Sequence, residues 1–355
     1  MNVALVFNLR EESAQDDEPP SPAPPQSTTD IYAEWDDIHT IQAVASALSG
    51  RHQVTLINAD TDAFEKLRHL DPDLVFNIAE GLHGASREAQ IPAILEMLQI
   101  PYSGSDPLTL GLCLDKQRTK EILRQHRVAT PRFWVVTSLL QIPRNLRYPL
   151  IVKPCLEGSS KGVTNSALVR DRRELVRQLE WIGATYGQKA IIEEFLPGRE
   201  FTVALIGNGD DLRVLPIVEI DFTSLPQGVN PIYSYEAKWV WDSEDNPLEI
   251  FSCPACLEPF LHQQIEHLCR AAFRALGCRD WCRIDVRLDA TGRPQVIEMN
   301  PLPGILPRPE QNSCFPKAAR AAGLSYEELI LLVADTALQR YYPVQEHRHE
   351  SRRLF

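Results

Sequence analysis

The apolar positions of this chain change period along its length. Val3-Ala4-Leu5-Val6-Phe7 is a short unbroken apolar run, the pattern of a strand buried on both faces in a parallel sheet. Within 31–48 the residues Ile38, Ile41, Ala45 and Leu48 keep a helical spacing. Val54-Thr55-Leu56-Ile57 and Leu74-Val75-Phe76-Asn77-Ile78 read as two more strands with a helix between them. The first ~100 residues therefore alternate strand and helix as a small parallel-sheet domain does. Beyond them, helices are expected at 91–98, 115–125, 170–182, 259–276 and 325–341. Strands are expected at 133–136, 150–153 and 190–196, and they dominate 201–221. Two stretches keep no period. Residues 11–30 are polar and Pro-rich, as a flexible loop is. Residues 223–253 are rich in aromatics and Pro, as a long ordered loop with a function is.

The most informative pattern is CRIDVRLDATGRPQVIEMN, from Cys282 to Asn300. Two β-rich runs flank Asp289-Ala290-Thr291-Gly292, so a hairpin is predicted. With the turn centred between Thr291 and Gly292, paired residue numbers sum to 583. Asp285 then faces Glu298, Arg283 faces Asn300, and Val286 faces Ile297. Alternation puts Ile284, Val286, Leu288, Ile297 and Met299 on one face and Arg283, Asp285, Arg287, Glu298 and Asn300 on the other. Two carboxylates and an amide on one rigid face make either a solvated surface with an Arg–Asp ion pair or an oxygen-ligand site for Mg²⁺. The hairpin alone does not choose between them.

Composition narrows the choice. A chain of 355 residues, 44% apolar and 24% charged, suits two or three soluble globular domains. A net charge of −12 argues against nucleic-acid or anionic-membrane binding. The opening MNVALVFNLREE lacks the basic start and apolar length of a signal peptide, and no apolar run reaches the ~20 residues of a membrane span. A cytoplasmic protein is expected. Its eight Cys read as reduced thiols, because the Cys278-x3-Cys282 spacing does not complete a zinc ribbon with Cys253-Pro-Ala-Cys256.

Three further stretches carry chemistry. Gly158, Ser159, Ser160 and Gly162 form a loop whose amides could wrap phosphate, with Lys153 at a strand end before it and Lys161 inside it. A third lysine, Lys116, lies on another element. Glu193 and Glu200 bracket a strand and turn in which Phe195 and Leu196 could line a purine pocket and Glu200 could accept from ribose hydroxyls. An exposed acidic hairpin explains that last segment equally well.

Taken together, the motifs resemble the ATP-grasp enzymes, and within them the D-alanine–D-alanine ligase group, from about Val75 to Leu338. They are Ile100-Pro101-Tyr102-Ser103-Gly104-Ser105, Asp115-Lys116, Val152-Lys153-Pro154, Glu157-Gly158-Ser159-Ser160 and Glu193 through Glu200-Phe201-Thr202-Val203. Tyr235-Glu236-Ala237-Lys238, Arg283-Ile284-Asp285-Val286 and Glu298-Met299-Asn300-Pro301-x-Pro303-Gly304 complete the set. The resemblance implies a three-domain α/β (α+β) ATP-grasp fold: an N-terminal parallel-sheet domain over 1–105, a central lid domain over 106–196, a C-terminal domain with the metal site over 197–342, and a flexible tail.

It also implies roles. Lys116 and Lys153 would contact ATP phosphates, with Ser159, Ser160 and Gly162 closing over them. Glu193, Phe195 and Leu196 would hold adenine and Glu200 the ribose. Lys238 would reach the γ-phosphate. Asp285, Glu298 and Asn300 would carry two Mg²⁺, with Mn²⁺ able to substitute. Arg283 would stabilise an oxyanion, and Arg283, Ser313, Trp239 and Gly304 would face substrate, which makes Arg283, Lys238 and Lys153 the catalytic set. The activity implied joins a carboxylate donor to an amine acceptor through an acyl phosphate, in a homodimer. D-alanyl-D-alanine, another dipeptide or amide, or an ester are the products to weigh, with a small-molecule kinase or a non-catalytic nucleotide binder as the other classes. The departures from the pattern all face substrate: the family's Gly-rich turn after the first strand is missing, Trp239 replaces a tyrosine, 304–316 is longer, and Glu80-Gly81 with Arg87-Glu88 stand in for another Gly-rich stretch.

Overall fold

The computed structural model describes residues 1–10, 32–226, 228–241 and 248–343; the Pro-rich segment 11–30 and the end of the tail lie outside them. Its strands form three sheets. In the first, β1 (Asn2–Phe7), β2 (Gln53–Asn58) and β3 (Leu74–Asn77) pair in parallel in the order β2-β1-β3. The apolar run of β1 is unbroken because both faces are covered. Leu5 and Phe76 pack with Ile41, Val44 and Leu48 of α1 (Ile38–Ser49), while Val6 and Val75 pack with Leu67, Ile91 and Leu95 on the other side.

The helix expected from residue 31 starts at Ile38, where Asp37 accepts the amide of Thr40 at 2.6 Å and stops it growing backward. Ile38 itself is exposed, so the buried stripe is Ile41, Val44 and Leu48. Between α2 (Ala63–Arg68), α3 (Gln90–Leu98) and the next sheet lies α4 (Pro107–Leu114), which the pattern did not predict. PLTLGLCL is apolar all round and has no polar face to give it a period; Asp106, accepting from Thr109 N at 2.8 Å, is the signal that marks its start. α5 (Lys116–Gln125) follows directly, capped by Asp115.

The second sheet is antiparallel, with β4 (Phe133–Val136), β5 (Leu150–Pro154), β6 (Leu168–Val169) and β7 (Ala190–Glu194) in the order β4-β7-β5-β6, backed by α6 (Arg172–Tyr186). The strand expected to reach 196 ends at Glu194, leaving Phe195 and Leu196 beyond the ladder.

The third sheet holds β8 (Glu200–Ile206), β9 (Arg213–Val214), β10 (Val218–Ile220), β11 (Phe251–Ser252), β12 (Trp281–Leu288) and β13 (Pro294–Asn300), all antiparallel. α7 (Pro259–Leu276) covers one face, begun by its Pro and ended by Gly277. α8 (Cys314–Ala321) and α9 (Tyr326–Tyr341) close the chain. Trp281 packs edge-on between Phe76 and Phe315, joining the first sheet, the third sheet and α8 in one core.

The hairpin of β12 and β13 has the predicted partners at its open end: Arg283 faces Asn300, and Asp285 faces Glu298. Toward the turn it departs, because Val286 pairs with Val296 and the register shifts after Asp285. Ile297 is the extra residue of a bulge, so Val296 takes the core position predicted for Ile297, and Ile297 lines the cleft instead. The cause is the turn. Asp289 N bonds Arg293 O at 2.9 Å with Gly292 at φ +80°, a loop one residue wider than the assumed two.

Candidate active site

A cleft of about 550 Å³ runs between the three sheets. It is lined by Lys116 at the start of α5, Lys153 on β5, Ser159 and Ser160 of the Gly/Ser loop, and Glu193, Phe195 and Leu196 at the end of β7. The hairpin adds Asp285, Glu298 and Asn300. Glu200, Lys238, Trp239, Arg283, Gly304 and Ser313 line it as well. The nucleotide, metal and substrate candidates thus all line this cleft except Gly162; of Glu80-Gly81 and Arg87-Glu88, the two glutamates line it and Gly81 and Arg87 do not.

The metal-type face is compact. Asn300 Nδ2 donates to Asp285 Oδ2 at 3.2 Å, and Thr202 Oγ1 donates to Asp285 Oδ1 at 2.7 Å. Arg283 pairs with Asp285 at 3.1 Å, and Lys116 pairs with Glu298 at 2.7 Å. The Arg–Asp ion pair of the simpler reading is therefore present, inside the cleft rather than on a solvated face. Burial opposes the Glu298 charge, but Lys116 and then Lys153 outweigh it and hold this carboxyl at about 2. Burial likewise opposes the Lys116 charge, and Glu298 more than restores it. Two carboxylates and an amide side chain, gathered in a buried cleft with cations as their present partners, make a donor set that fits a hard divalent cation.

Behind this face sits a charge cluster the sequence did not reveal. Glu193, in the middle of the second sheet, pairs with Lys153 at 3.2 Å and with Lys120 at 3.4 Å. Lys120 is 1% exposed, and burial, only partly offset by Glu193, pushes it down to about 8. It follows Lys116 by one helical turn, and that spacing on α5 was the available signal.

The Gly/Ser loop is held in an unusual backbone. Ser159, Ser160 and Gly162 have φ of 49°, 60° and 72°, and a Cβ on Gly162 would lie 2.3 Å from Pro154 Cγ. Ser160 Oγ donates to Tyr233 O at 3.1 Å and Trp239 Nε1 donates to Ser159 O at 3.2 Å, so the aromatic segment leans on this loop. That segment, expected as irregular, contains a π-helical turn at Ala237–Trp241 that carries Lys238 into the cleft. Burial first, then Arg283, pushes Lys238 down to about 8.

Lys161 does not join the phosphate-facing lysines. It pairs with Glu157 at 2.8 Å and with Glu34 at 3.5 Å. Glu34 also binds Arg87 at 2.7 Å and the amide of Gly158 at 2.9 Å, so the first sheet grips the Gly/Ser loop. Glu200 pairs with Arg287 at 2.7 Å, and the Arg287 guanidinium lies against Phe195 and Phe222. Burial, against that Arg, raises Glu200 above the usual carboxylate range. Ser313 accepts from Leu306 N at 3.2 Å and donates to Gly304 O at 3.1 Å, bridging the 304–306 turn.

A family model described as D-ala D-ala ligase C-terminus matches residues 123–334. An uncharacterized protein of Sinorhizobium fredii is 36% identical over 332 residues, 91% of this chain and 92% of its own length. A D-alanine–D-alanine ligase of Bordetella petrii is 36% identical over 277 residues, 77% of this chain and 78% of its own. The D-alanine–D-alanine ligase of Bacillus anthracis complexed with ATP superposes with a TM-score of 0.70 at 24% identity, covering 96% of this chain and 98% of that one. The VanG D-Ala:D-Ser ligase of Enterococcus faecalis gives 0.68 at 20% identity, covering 95% and 99%.

Proposed function

We propose, from the premise that this chain belongs to the D-alanine–D-alanine ligase family, that its cleft joins two amino acids or amino-acid-like molecules through an acyl phosphate. Membership makes it an ATP-dependent, ADP-forming ligase of the carbon–nitrogen class, working on two small molecules with a divalent metal. The observation that carries the specific reading is the convergence of Asp285, Glu298 and Asn300 beside Lys116 and Lys153, with Arg283 on the same face.

Lys116, Lys153 and Lys238 supply positive charge to the triphosphate, and the amides of Ser159 to Gly162 close over it. Phe195 and Leu196, which leave the β7 ladder, line the adenine pocket with Glu193 at its base, and Glu200 takes the ribose. Asp285, Glu298 and Asn300 would hold the metal, two ions in this proposal. When bound, it neutralises phosphate charge and aligns the γ-phosphoryl group. A donor carboxylate oxygen attacks the γ-phosphorus and ADP leaves. The acceptor amine then attacks the carbonyl carbon, loses a proton, and expels phosphate with that same oxygen. Arg283 stabilises the oxyanion of the tetrahedral species. Trp239 and the Gly304–Ser313 turn wall the acceptor side, and much of the rate comes from holding both substrates together away from water.

The three sheets support a division into domains at 1–105, 106–196 and 197–342. A homodimer through the first sheet is the proposed assembly; its edge strand β2 leaves Leu56 half exposed. The proposed compartment is the cytoplasm, and no helix among the described residues is long and apolar enough to cross a membrane.

The test is purified protein with ATP, Mg²⁺ and a panel of amino acids of both hands that includes D-alanine, read by phosphate release and product mass. A condensed product minus one water is expected from some pair. A stable phosphorylated acceptor would make the protein a kinase on this scaffold, and silence across the panel would end the ligase reading.

A further inference from the structure

The cleft holds a second set of acids, apart from those assigned to metal and nucleotide. Glu80 follows β3, and Glu88 sits in the 3-10 turn Arg87–Ala89 before α3; both side chains line the cleft. Glu88 is 9% exposed and has no hydrogen bond or ion pair with any described residue. The cations at this end are already committed. Arg87 turns away into Glu34 at 2.7 Å and Glu157 at 3.5 Å, and Lys161 into Glu157 at 2.8 Å. Lys116 is held by Glu298, and Arg10 acts on Asp36. Arg87 and Lys116 attract these acids across space, but neither forms an ion pair with Glu80 or Glu88 among the described residues.

Their surroundings make the deficit acute. Burial, then the charges of Glu88, Glu34 and Asp36, raise Glu80 well above the usual carboxylate range. Burial, then Glu34, pushes Glu88 up to about 8. Left alone, carboxyls so placed hold their protons; a cation brought in by a ligand displaces the proton and pairs with the carboxylate. The direction of the row also matters. Gly81 N, beside Glu80, donates to Asn8 Oδ1 at 2.8 Å just past β1, while Arg87 Nη1, beside Glu88, donates to Leu156 O at 3.0 Å next to the Gly/Ser loop, so the row runs from the first sheet toward the phosphoryl end. A donor with its carboxylate at the Glu298 end would run its other groups along this row. One α-ammonium balances one of the two carboxylates, which leaves one more.

We infer that the carboxylate donor is a dibasic amino acid, whose α-ammonium and second cationic group are bound between Glu88 and Glu80. This rests on the ligase reading and specifies its substrate. Such a group replaces the missing protein cation, and an uncharged side chain of equal length leaves a buried carboxylate without a partner.

The experiment uses the full chain with ATP, Mg²⁺ and hydroxylamine, which captures the activated carboxylate as a hydroxamate with release of ADP and phosphate. Donors are lysine, ornithine and arginine against norleucine, glutamine and alanine, each in both hands. Expected is a kcat/KM for the best dibasic donor about 100-fold or more above norleucine of the same hand, a factor worth two steps of 1.36 kcal/mol. E88Q should cut that preference about tenfold while ADP affinity by calorimetry stays within about twofold, since Glu88 makes no hydrogen bond or ion pair with a residue assigned to the nucleotide. E80Q provides the same comparison if E88Q fails to bind ADP. An uncharged donor that matches the dibasic ones overturns the inference and leaves the ligase standing. E88Q and E80Q both keeping the full preference also overturns it. No hydroxamate from any donor overturns both.

Discussion

Replacing Glu193 with Gln keeps the shape of a fully buried side chain and removes only its charge. In the folded protein that charge serves Lys153 at 3.2 Å and Lys120 at 3.4 Å. At an effective dielectric of about 20, each attraction is about 5 kcal/mol gross. The net loss is smaller, because Lys120 has an escape. With its pKa at about 8, it sheds its proton at pH 7 for about 1 kcal/mol, which caps that half of the damage. Lys153 is left as one member of a broken buried pair, ordinarily a cost of about 3–5 kcal/mol. E193Q should therefore lose about 4–6 kcal/mol in urea unfolding at pH 7 with an unchanged m value. K120M/E193Q, having no Lys120 to neutralise, should recover at least about 1 kcal/mol of that. The sign with pH is also fixed. A lysine depressed to about 8 when folded, from 10.5, binds its proton more tightly in the unfolded chain, so stability rises with pH through that window, and in E193Q the lower edge of the window drops. A loss below about 1 kcal/mol, or no recovery in the double variant, would refute the buried cluster.

Two further outcomes follow from the cleft. Lys238 is charged only below about 8, under the influence of burial, Arg283, Cys314, Asp285 and Glu298, so kcat/KM for ATP should fall as pH rises through that value; K238R should hold it level to about pH 10, and an unchanged falling limb would take Lys238 off the phosphate. G162A forces a side chain into Pro154 at positive φ, so it should raise the KM for ATP about tenfold or more while far-UV circular dichroism is unchanged; an unaltered KM would remove the Gly/Ser loop from nucleotide binding.

How much of this was legible in the sequence depends on how local the cause is. The strands of the first sheet and α7 were readable because period, Pro and Gly signals lie within the element. The hairpin was readable at Asp285 and Glu298, but not at Ile297, because one added residue in the turn shifts everything up to the bulge. α4 has no polar face, and α8 carries a Pro in its first turn, so neither shows a clear period. Among site residues, lysines before and within a Gly/Ser loop look alike in one dimension. Folding separates them, sending Lys153 to Glu193 and Lys161 to Glu157 and Glu34. The Glu34–Arg87–Glu157–Lys161 network and the unpaired Glu88 join segments far apart in the chain, and no spacing rule reaches across them.

The central claim is that a carboxylate is activated by phosphorylation in this cleft and then captured by an amine. Donor labelled with ¹⁸O in its carboxylate tests it, since the attacking oxygen leaves with the phosphate. With both carboxylate oxygens labelled, the account predicts one ¹⁸O in each inorganic phosphate and the other retained in the carbonyl of the condensed product. Unlabelled phosphate, or label retained on a stable phosphorylated product, would contradict it.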